Sequence, residues 1–350
     1  MKLTADPVGR WLEPSGPESD VVVSTRVRLA RNLADVPFAA KAGPADQERV
    51  VSSLRWALQE IGCLEQGRFF DDEQLAEPRG SCLLERHLVS PDFLSTKARR
   101  GLYVGEDEAV SLMINEEDHV RFQVLASGLD FAEAFGRAAV LDEKLESQLA
   151  YAFSPEFGFL TACPTNLGTA LRASVMVHLP ALVMTREIEK VLRGALHIGL
   201  AVRGLFGEGT ETRGNYFQIS NQRTLGQSES EIIETVTEVC RQLIEYERKA
   251  REYLMRNLRT EVEDKVFRSL AILKGARILT SSEATNLLAT VRLGIVLGLI
   301  NEVTLAEVNR LTVLVRPANL QVVLAATLDG AERDERRATL VRETLVRLRS

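Results

Sequence analysis

The run Asn115-Glu116-Glu117-Asp118-His119-Val120-Arg121 sets three consecutive carboxylates beside a histidine and an arginine. Carboxylates in this density can grip a cation or take up a proton during a reaction, and the arginine can hold an anion. The same residues are equally compatible with a solvated acidic turn. Arginines recur in other unusual settings: Arg26 and Arg28 in Ser24-Thr25-Arg26-Val27-Arg28, Arg86 beside His87, Arg172 ahead of Ala173-Ser174-Val175-Met176, and Arg203 ahead of Gly204-Leu205-Phe206-Gly207-Glu208. Arg26 and Arg28 are two apart, so in an extended segment both point the same way. A guanidinium is a planar, permanently charged fork, and several that converge suit a triphosphate. The chain contains no GxxxxGK[ST] loop and neither the HRD nor the DFG sequence of protein kinases, so a nucleotide bound here must be cradled by arginines.

The elements that must position these groups can be read from spacing. Residues 109–114 form an apolar run, and Val120, Phe122, Val124 and Ala126 alternate with other residues, which predicts two strands with the acidic cluster at the hairpin tip. Such a scaffold fixes the groups while the tip stays accessible. Residues 21–32 open as a strand carrying the paired arginines, 157–162 and 216–220 read as strands, and 171–179 as a strand or extended segment. Helical spacing marks 45–61, 129–153 and the run from Ile232 to Leu254. Residues 203–215 are too rich in glycine for a helix or a regular strand and read as a mobile loop. The segment 2–20, with Pro7, Pro14, Gly16 and Pro17, reads as an ordered arm at most. Beyond Thr260 the pattern turns helical, over 262–275, 282–299, 305–315 and 331–348, with Ser281 or Ser282 and Thr304 as N-caps. The expected organisation is an arm at 1–20, a catalytic unit at 21–257 and a small helical domain at 258–350.

Composition narrows the class. The 350 residues carry 43 Lys and Arg against 49 Asp and Glu, a formal charge of -6, which argues against bulk attraction to nucleic acid or anionic membrane. No apolar run approaches the ~20 residues that span a bilayer, and the acidic N-terminus lacks the features of a signal peptide. Cys63, Cys82, Cys163 and Cys240 are scattered without CxxC or zinc spacing, so reduced thiols in the cytoplasm and no structural metal are expected.

Taken in order, Ser24-Thr25-Arg26-Val27-Arg28, Asn115 to Arg121, Cys163-Pro164-Thr165-Asn166-Leu167-Gly168-Thr169 with Arg172, and Arg203 to Glu208 followed by Ile219-Ser220-Asn221 and Leu225-Gly226 resemble the catalytic motifs of phosphagen (guanidino) kinases. The chain lacks the separate helical N-terminal domain of creatine and arginine kinases and carries an extra helical C-terminal domain, features similar to the McsB-type bacterial protein-arginine kinases. It departs from the phosphagen pattern in Tyr216-Phe217-Gln218-Ile219-Ser220-Asn221, where those enzymes have Tyr-Asp-Ile-Ser-Asn. The resemblance implies an α+β catalytic domain with a mainly antiparallel sheet flanked by helices, followed by an all-α domain that dimerises. It implies ATP with Mg²⁺, bound through Ser24, Thr25, Arg26, Val27, Arg28, His87 against the adenine, Arg121, Arg172, Ala173, Ser174, Val175, Met176, Arg203, Gly204, Leu205, Phe206, Gly207 and Glu208. Glu117 and Glu208 would hold the substrate guanidinium, and Cys163 would be the active-site thiol. Arg333-Asp334-Glu335-Arg336-Arg337-Ala338 matches the RDxxRA pattern with which that family recognises phosphoarginine, through Arg333, Asp334, Arg337 and Ala338. Implied partners are proteins with exposed arginines, a zinc-binding activator protein and a ClpC-type unfoldase, with heat-shock regulators among the targets. Two other readings stay open: a kinase for free arginine or another small guanidino compound, and a non-catalytic phosphoarginine reader.

Overall fold

The computed structural model describes residues 9–204 and 213–347. Its centre is an eight-stranded antiparallel sheet ordered β2-β3-β4-β5-β1-β8-β10-β9, in which β1 is Val22–Arg31, β2 Gly67–Asp71, β3 Gly101–Gly105, β4 Val110–Ile114, β5 Val120–Ser127, β8 Leu171–His178, β9 Leu200–Gly204 and β10 Tyr216–Asn221. A small hairpin, β6 (Phe153–Ser154) with β7 (Gly158–Phe159), lies apart from it. Helices α1 (Pro44–Glu60), α4 (Phe131–Glu146) and α7 (Glu229–Asn257) supply the apolar layer on one face of the sheet.

Period-2 alternation decides which face each side chain takes. Val27, Leu29, Phe122, Val124, Ala173 and Val175 point into that apolar layer and join one core with Leu54, Ala138 and Val236. Among the described residues, the other face is covered at two places. At the β2–β4 end, α2 (Arg79–Glu85) and α3 (Pro91–Ser95) bury Leu83, Phe93, Leu102 and Met113. Over the starts of β1 and β10 and the ends of β5 and β8, Trp11 and Leu12 of the N-terminal arm pack with Leu125, Tyr216, Ala289 and Val313. A polar strip of sheet is left between these patches.

Short helices α5 (Pro180–Met184) and α6 (Ile188–His197) lead to β9, and α8 (Arg259–Gly275), α9 (Ser281–Val296), α10 (Leu305–Leu314), α11 (Pro317–Leu324) and α12 (Gly330–Arg347) follow α7. This helical part is docked by buried polar groups. Fully buried Arg292 of α9 donates to the carbonyls of Ser19 at 2.7 Å and Asp20 at 3.0 Å and lies 3.0 Å from His178 Nδ1. Residues 9–20 of the arm are therefore held between the sheet and the helical part, more tightly than their prolines suggest. No helix among the described residues is long and apolar enough to cross a membrane.

Several boundaries differ from expectation. The helix expected over 129–153 ends at Glu146, because the chain must turn back to pair Phe153 with Phe159. Thr280, not Ser281 or Ser282, caps α9, its side chain accepting from the Glu283 N–H. Thr304 caps α10 as expected.

Candidate active site

Directly opposed residues of an antiparallel pair share a face. Arg28 opposes Gln123 of β5 and Arg172 of β8, and Arg26 opposes Leu125 and Ser174. Arg121 lies two residues before Gln123, on the same face, and Arg203 of β9 opposes Gln218 of β10, which opposes Met176. The strip left open by the helices is thus a row of arginines delivered by β5, β1, β8 and β9. Arg26, Arg28, Arg172 and Arg203 of this row floor a cleft of about 550 Å³, whose rim includes His87, Ser90 and Asp92; that size suits a cofactor-sized ligand.

Not every residue of the implied nucleotide motifs belongs to this cleft. Val27, Ala173 and Val175 are buried on the opposite face, so their side chains serve the core and only their backbones lie near the site. Thr25 is buried as well and donates to the Gly128 carbonyl at 2.7 Å, tying β1 to the turn before α4. Ser24 is buried, Ser174 lies between Arg26 and Ser220, and Met176 lines a smaller apolar cavity next to His87. Gly204 reaches the cleft at the end of β9. Leu205, Phe206, Gly207 and Glu208 lie outside the described residues.

The electrostatics of the row point to an anion. Burial, followed by the Arg172 and Arg121 charges, lowers the Arg26 pKa to about 10. Arg28 is pushed well below the usual arginine value by burial and by Arg26, Arg121 and Arg172, with Glu116 opposing, and Arg172 is lowered by burial, Arg203 and Arg121. Arg28 Nε is buried without a hydrogen-bond partner among the described residues. Like charges held this close call for a multiply charged anion that presents several acceptor oxygens.

His87 closes one end. Its backbone is left-handed (φ 60°), its carbonyl accepts from Gln123 Nε2 at 2.6 Å, and its ring meets Trp11 edge-on at 5.7 Å. Burial, with Arg26 and Arg316 adding, pushes its pKa down to about 3, so the ring stays neutral and can stack on a neutral base. The linkage sign follows: the unfolded histidine takes a proton near its ordinary ~6.5, the folded one does not, and stability is lost as the pH falls below that value. The difference in urea midpoint between neutral and mildly acidic buffer is expected to shrink in His87→Gln; an unchanged difference would contradict the assignment.

At the other end stands the hairpin tip. Asn115, Glu116, Asp118 and His119 are all buried, contrary to a solvated turn, and the Glu117 side chain is 44% exposed. The Asn115 N–H donates to the His119 carbonyl at 3.0 Å, with Asn115 in the left-handed region (φ 61°), and Asn115 Nδ2 donates to the carbonyls of Arg99 and Gln47. Asn32, the residue after β1, fastens the tip from beneath: its Nδ2 donates to Asp118 Oδ1 at 2.7 Å and its Oδ1 accepts from the His119 N–H at 2.9 Å. Arg121 is ion-paired with Glu116 at 2.5 Å and with Glu117 at 3.4 Å. It thereby links the arginine row to the Glu117 carboxylate. Burial raises the Glu117 pKa, Arg121 opposes, and Asp118, Glu116 and Asp92 reinforce the rise.

Asp118 also positions the thiol. Its Oδ1 accepts from the Ala162 N–H at 2.7 Å, and Thr161 Oγ1 donates to the Cys163 carbonyl at 2.8 Å. Cys163 Sγ lies 3.0 Å from Thr165 Oγ1, and Thr224 Oγ1 pins the loop by donating to the carbonyls of Thr165 and Leu167. Asn32 and Thr224 hold the site in place without being singled out by the sequence, and Asp118, His119 and Ser220 stand inside the motifs without an assigned role.

The C-terminal motif lies elsewhere, on α12. Arg337 is buried, with Nε donating to the Val315 carbonyl at 2.6 Å and one Nη donating to the Leu279 carbonyl at 2.7 Å and pairing with Asp334 at 2.5 Å. Ala338 is fully buried, and Arg333 and Asp334 are half-buried. In this arrangement Arg337 cross-links α12 to its neighbours.

Comparison with known proteins fits this geometry. Residues 49–250 match the ATP:guanido phosphotransferase C-terminal catalytic domain, and residues 259–350 match the protein-arginine kinase McsB C-terminal domain. The protein-arginine kinase of Desulforamulus reducens is 46% identical over 350 residues, spanning 98% of this chain and 97% of the relative. That of Symbiobacterium thermophilum is 43% identical over 350 residues, with 98% of each chain covered. Among solved structures, lombricine kinase shares the fold at a TM-score of 0.60 and 23% identity, over 69% of this chain and 71% of its own. The duplicated taurocyamine kinase from Schistosoma mansoni with bound transition state analog components aligns at a TM-score of 0.60 and 27% identity, over 71% of this chain and 36% of that one. An arginine-floored cleft on an antiparallel sheet, a carboxylate at its lip and full-length identity above two-fifths place this chain in the protein-arginine kinase family of ATP:guanido phosphotransferases.

Proposed function

We propose that the cleft binds MgATP and that Glu117 presents the guanidinium of a protein arginine to the γ-phosphorus. The observation that carries this reading is the convergence of Arg26, Arg28, Arg121, Arg172 and Arg203 on one sheet face, with Arg121 bridging to Glu117. His87 takes the adenine and the arginines take the phosphate oxygens. Mg²⁺ neutralises further phosphate oxygens, keeping several waters and needing few protein ligands; Asp92 contributes a carboxylate to the lining. Phosphoryl transfer needs little covalent help, so positioning and charge stabilisation supply most of the rate.

Free arginine at pKa ~13 and glutamate at ~4.3 differ by roughly 9 units, or about 12 kcal/mol. The raised Glu117 pKa narrows that gap without closing it. Glu117 therefore orients the nitrogen and accepts its proton as the N–P bond forms and the bond from phosphorus to the ADP oxygen breaks. Glu208 is assigned as the second carboxylate on the guanidinium, and Cys163, held beside this lip by Asp118, as the neighbouring thiol.

The wider role follows the family. We assign the products as arginine-phosphorylated proteins marked for a ClpC-type unfoldase and its protease, with heat-shock regulators among the targets, a zinc-binding protein as activator, and a cytoplasmic homodimer formed through the helical part. Phosphoarginine is assigned to Arg333, Asp334, Arg337 and Ala338, where Arg337 must exchange a carbonyl partner for a phosphate oxygen. Offering free arginine and an unfolded basic protein in parallel tests the acceptor: phosphate is expected on the protein, and phosphate on free arginine alone would make the enzyme a small-molecule kinase.

A further inference from the structure

One lining residue of the nucleotide cleft comes from the helical part of the chain. Arg316, between α10 and α11, borders the cleft with Arg26, Arg28 and His87, and also borders the apolar cavity formed by Trp11, Met176 and Tyr216. None of the recognisable nucleotide motifs contains it.

Its position is fixed from two sides. The Glu85 carboxylate, at the end of α2, accepts from the backbone N–H groups of Ala318 at 3.0 Å and Asn319 at 2.8 Å, and from Asn319 Nδ2 at 2.9 Å. Asn319, fully buried, in turn accepts at Oδ1 from Arg86 Nε at 2.8 Å. These bonds clamp the first turn of α11, which Arg316 precedes, onto the last turn of α2, which leads into His87. From the other side Arg337 holds the Val315 carbonyl, in the peptide unit that joins Val315 to Arg316. Buried polar groups are costly unless fully bonded, and here the bonded set fixes the backbone on both sides of Arg316, whose side chain lines the His87 end of the cleft.

Arg316 adds a further cation to the lining of a cleft already crowded with positive charge, and both it and Arg26 depress the His87 proton affinity. An anion entering the cleft relieves that crowding. We propose that Arg316 is a nucleotide-binding residue, taking an anionic oxygen of the ATP phosphate chain next to His87, so that the helical part supplies one wall of the ATP site. The inference rests on the cleft being the ATP site. It makes nucleotide affinity depend on the docking of α11 against α2.

The test uses the full chain. Trp11 touches the His87 ring, so tryptophan emission reads nucleotide entry at this end. ATP and adenosine are titrated, with Mg²⁺ present, against wild type, Arg316→Met, Arg316→Lys and Arg28→Met. Arg316→Met is expected to bind ATP about tenfold more weakly, the scale of one charge-assisted hydrogen bond, with adenosine affinity unchanged and part of the loss recovered in Arg316→Lys. The inference is overturned if Arg316→Met keeps wild-type ATP affinity while Arg28→Met loses it. It is also overturned if adenosine weakens as much as ATP, because Arg316 then only shapes the wall. If Arg28→Met also keeps ATP affinity, the cleft is not the ATP site and both readings fall.

Discussion

Glu117→Gln is expected to lower kcat for arginine phosphorylation by about 10³-fold, within the range for a positioned proton acceptor, with ATP affinity nearly unchanged. The substitution is isosteric, and Glu117 reaches solvent at the lip while Arg121 keeps its shorter pair with Glu116. On the proposed mechanism, what is lost is the group that orients the guanidinium and receives its proton. The pH dependence should carry the same signature. Only the ionised carboxylate can do either task, and its pKa is raised by burial with Asp118, Glu116 and Asp92. The wild-type rate should therefore fall on acidification at a pH above the ordinary glutamate value, and the residual rate of Glu117→Gln should lack that limb. An acid limb that persists in the variant would assign it to another group.

Arg28→Met is the second large effect, and it should act in opposite senses on activity and stability. Arg28 sits in the middle of the row, opposite Arg172, with a buried Nε that has no hydrogen-bond partner among the described residues. Loss of a phosphate-clamping arginine is expected to lower kcat/KM for ATP by about 10²- to 10³-fold. The ligand-free protein should melt at a higher temperature, because a buried cation repelled by Arg26, Arg121 and Arg172 has been replaced by an apolar side chain. A melting temperature that falls, with ATP kinetics intact, would make Arg28 a structural residue.

Local patterns made part of this site legible. The strand alternation around Val120, Phe122 and Val124 located the Glu117 hairpin, and the i, i+2 spacing of Arg26 and Arg28 put both on one face, as the β1–β5 and β1–β8 registers show. The same alternation removes Val27, Ala173 and Val175 from the cleft, although they stand inside the motifs. What the sequence could not supply was long-range convergence. Nothing near Asn32 announces that it will fasten a tip 86 residues away, and Arg316 reaches His87 only because α11 docks on α2. Helical spacing through Leu149 and Phe153 also continued past the real end of α4, since periodicity cannot register a turn that tertiary pairing imposes.

The measurement that bears most directly on the central claim is transfer of labelled γ-phosphate from MgATP to an unfolded, arginine-rich protein, followed by acid treatment. The account predicts label on the protein that acid removes, as an N–P bond requires, in step with ADP formed, and absent with Glu117→Gln. Acid-stable label, or ADP released with no label on protein, would contradict it.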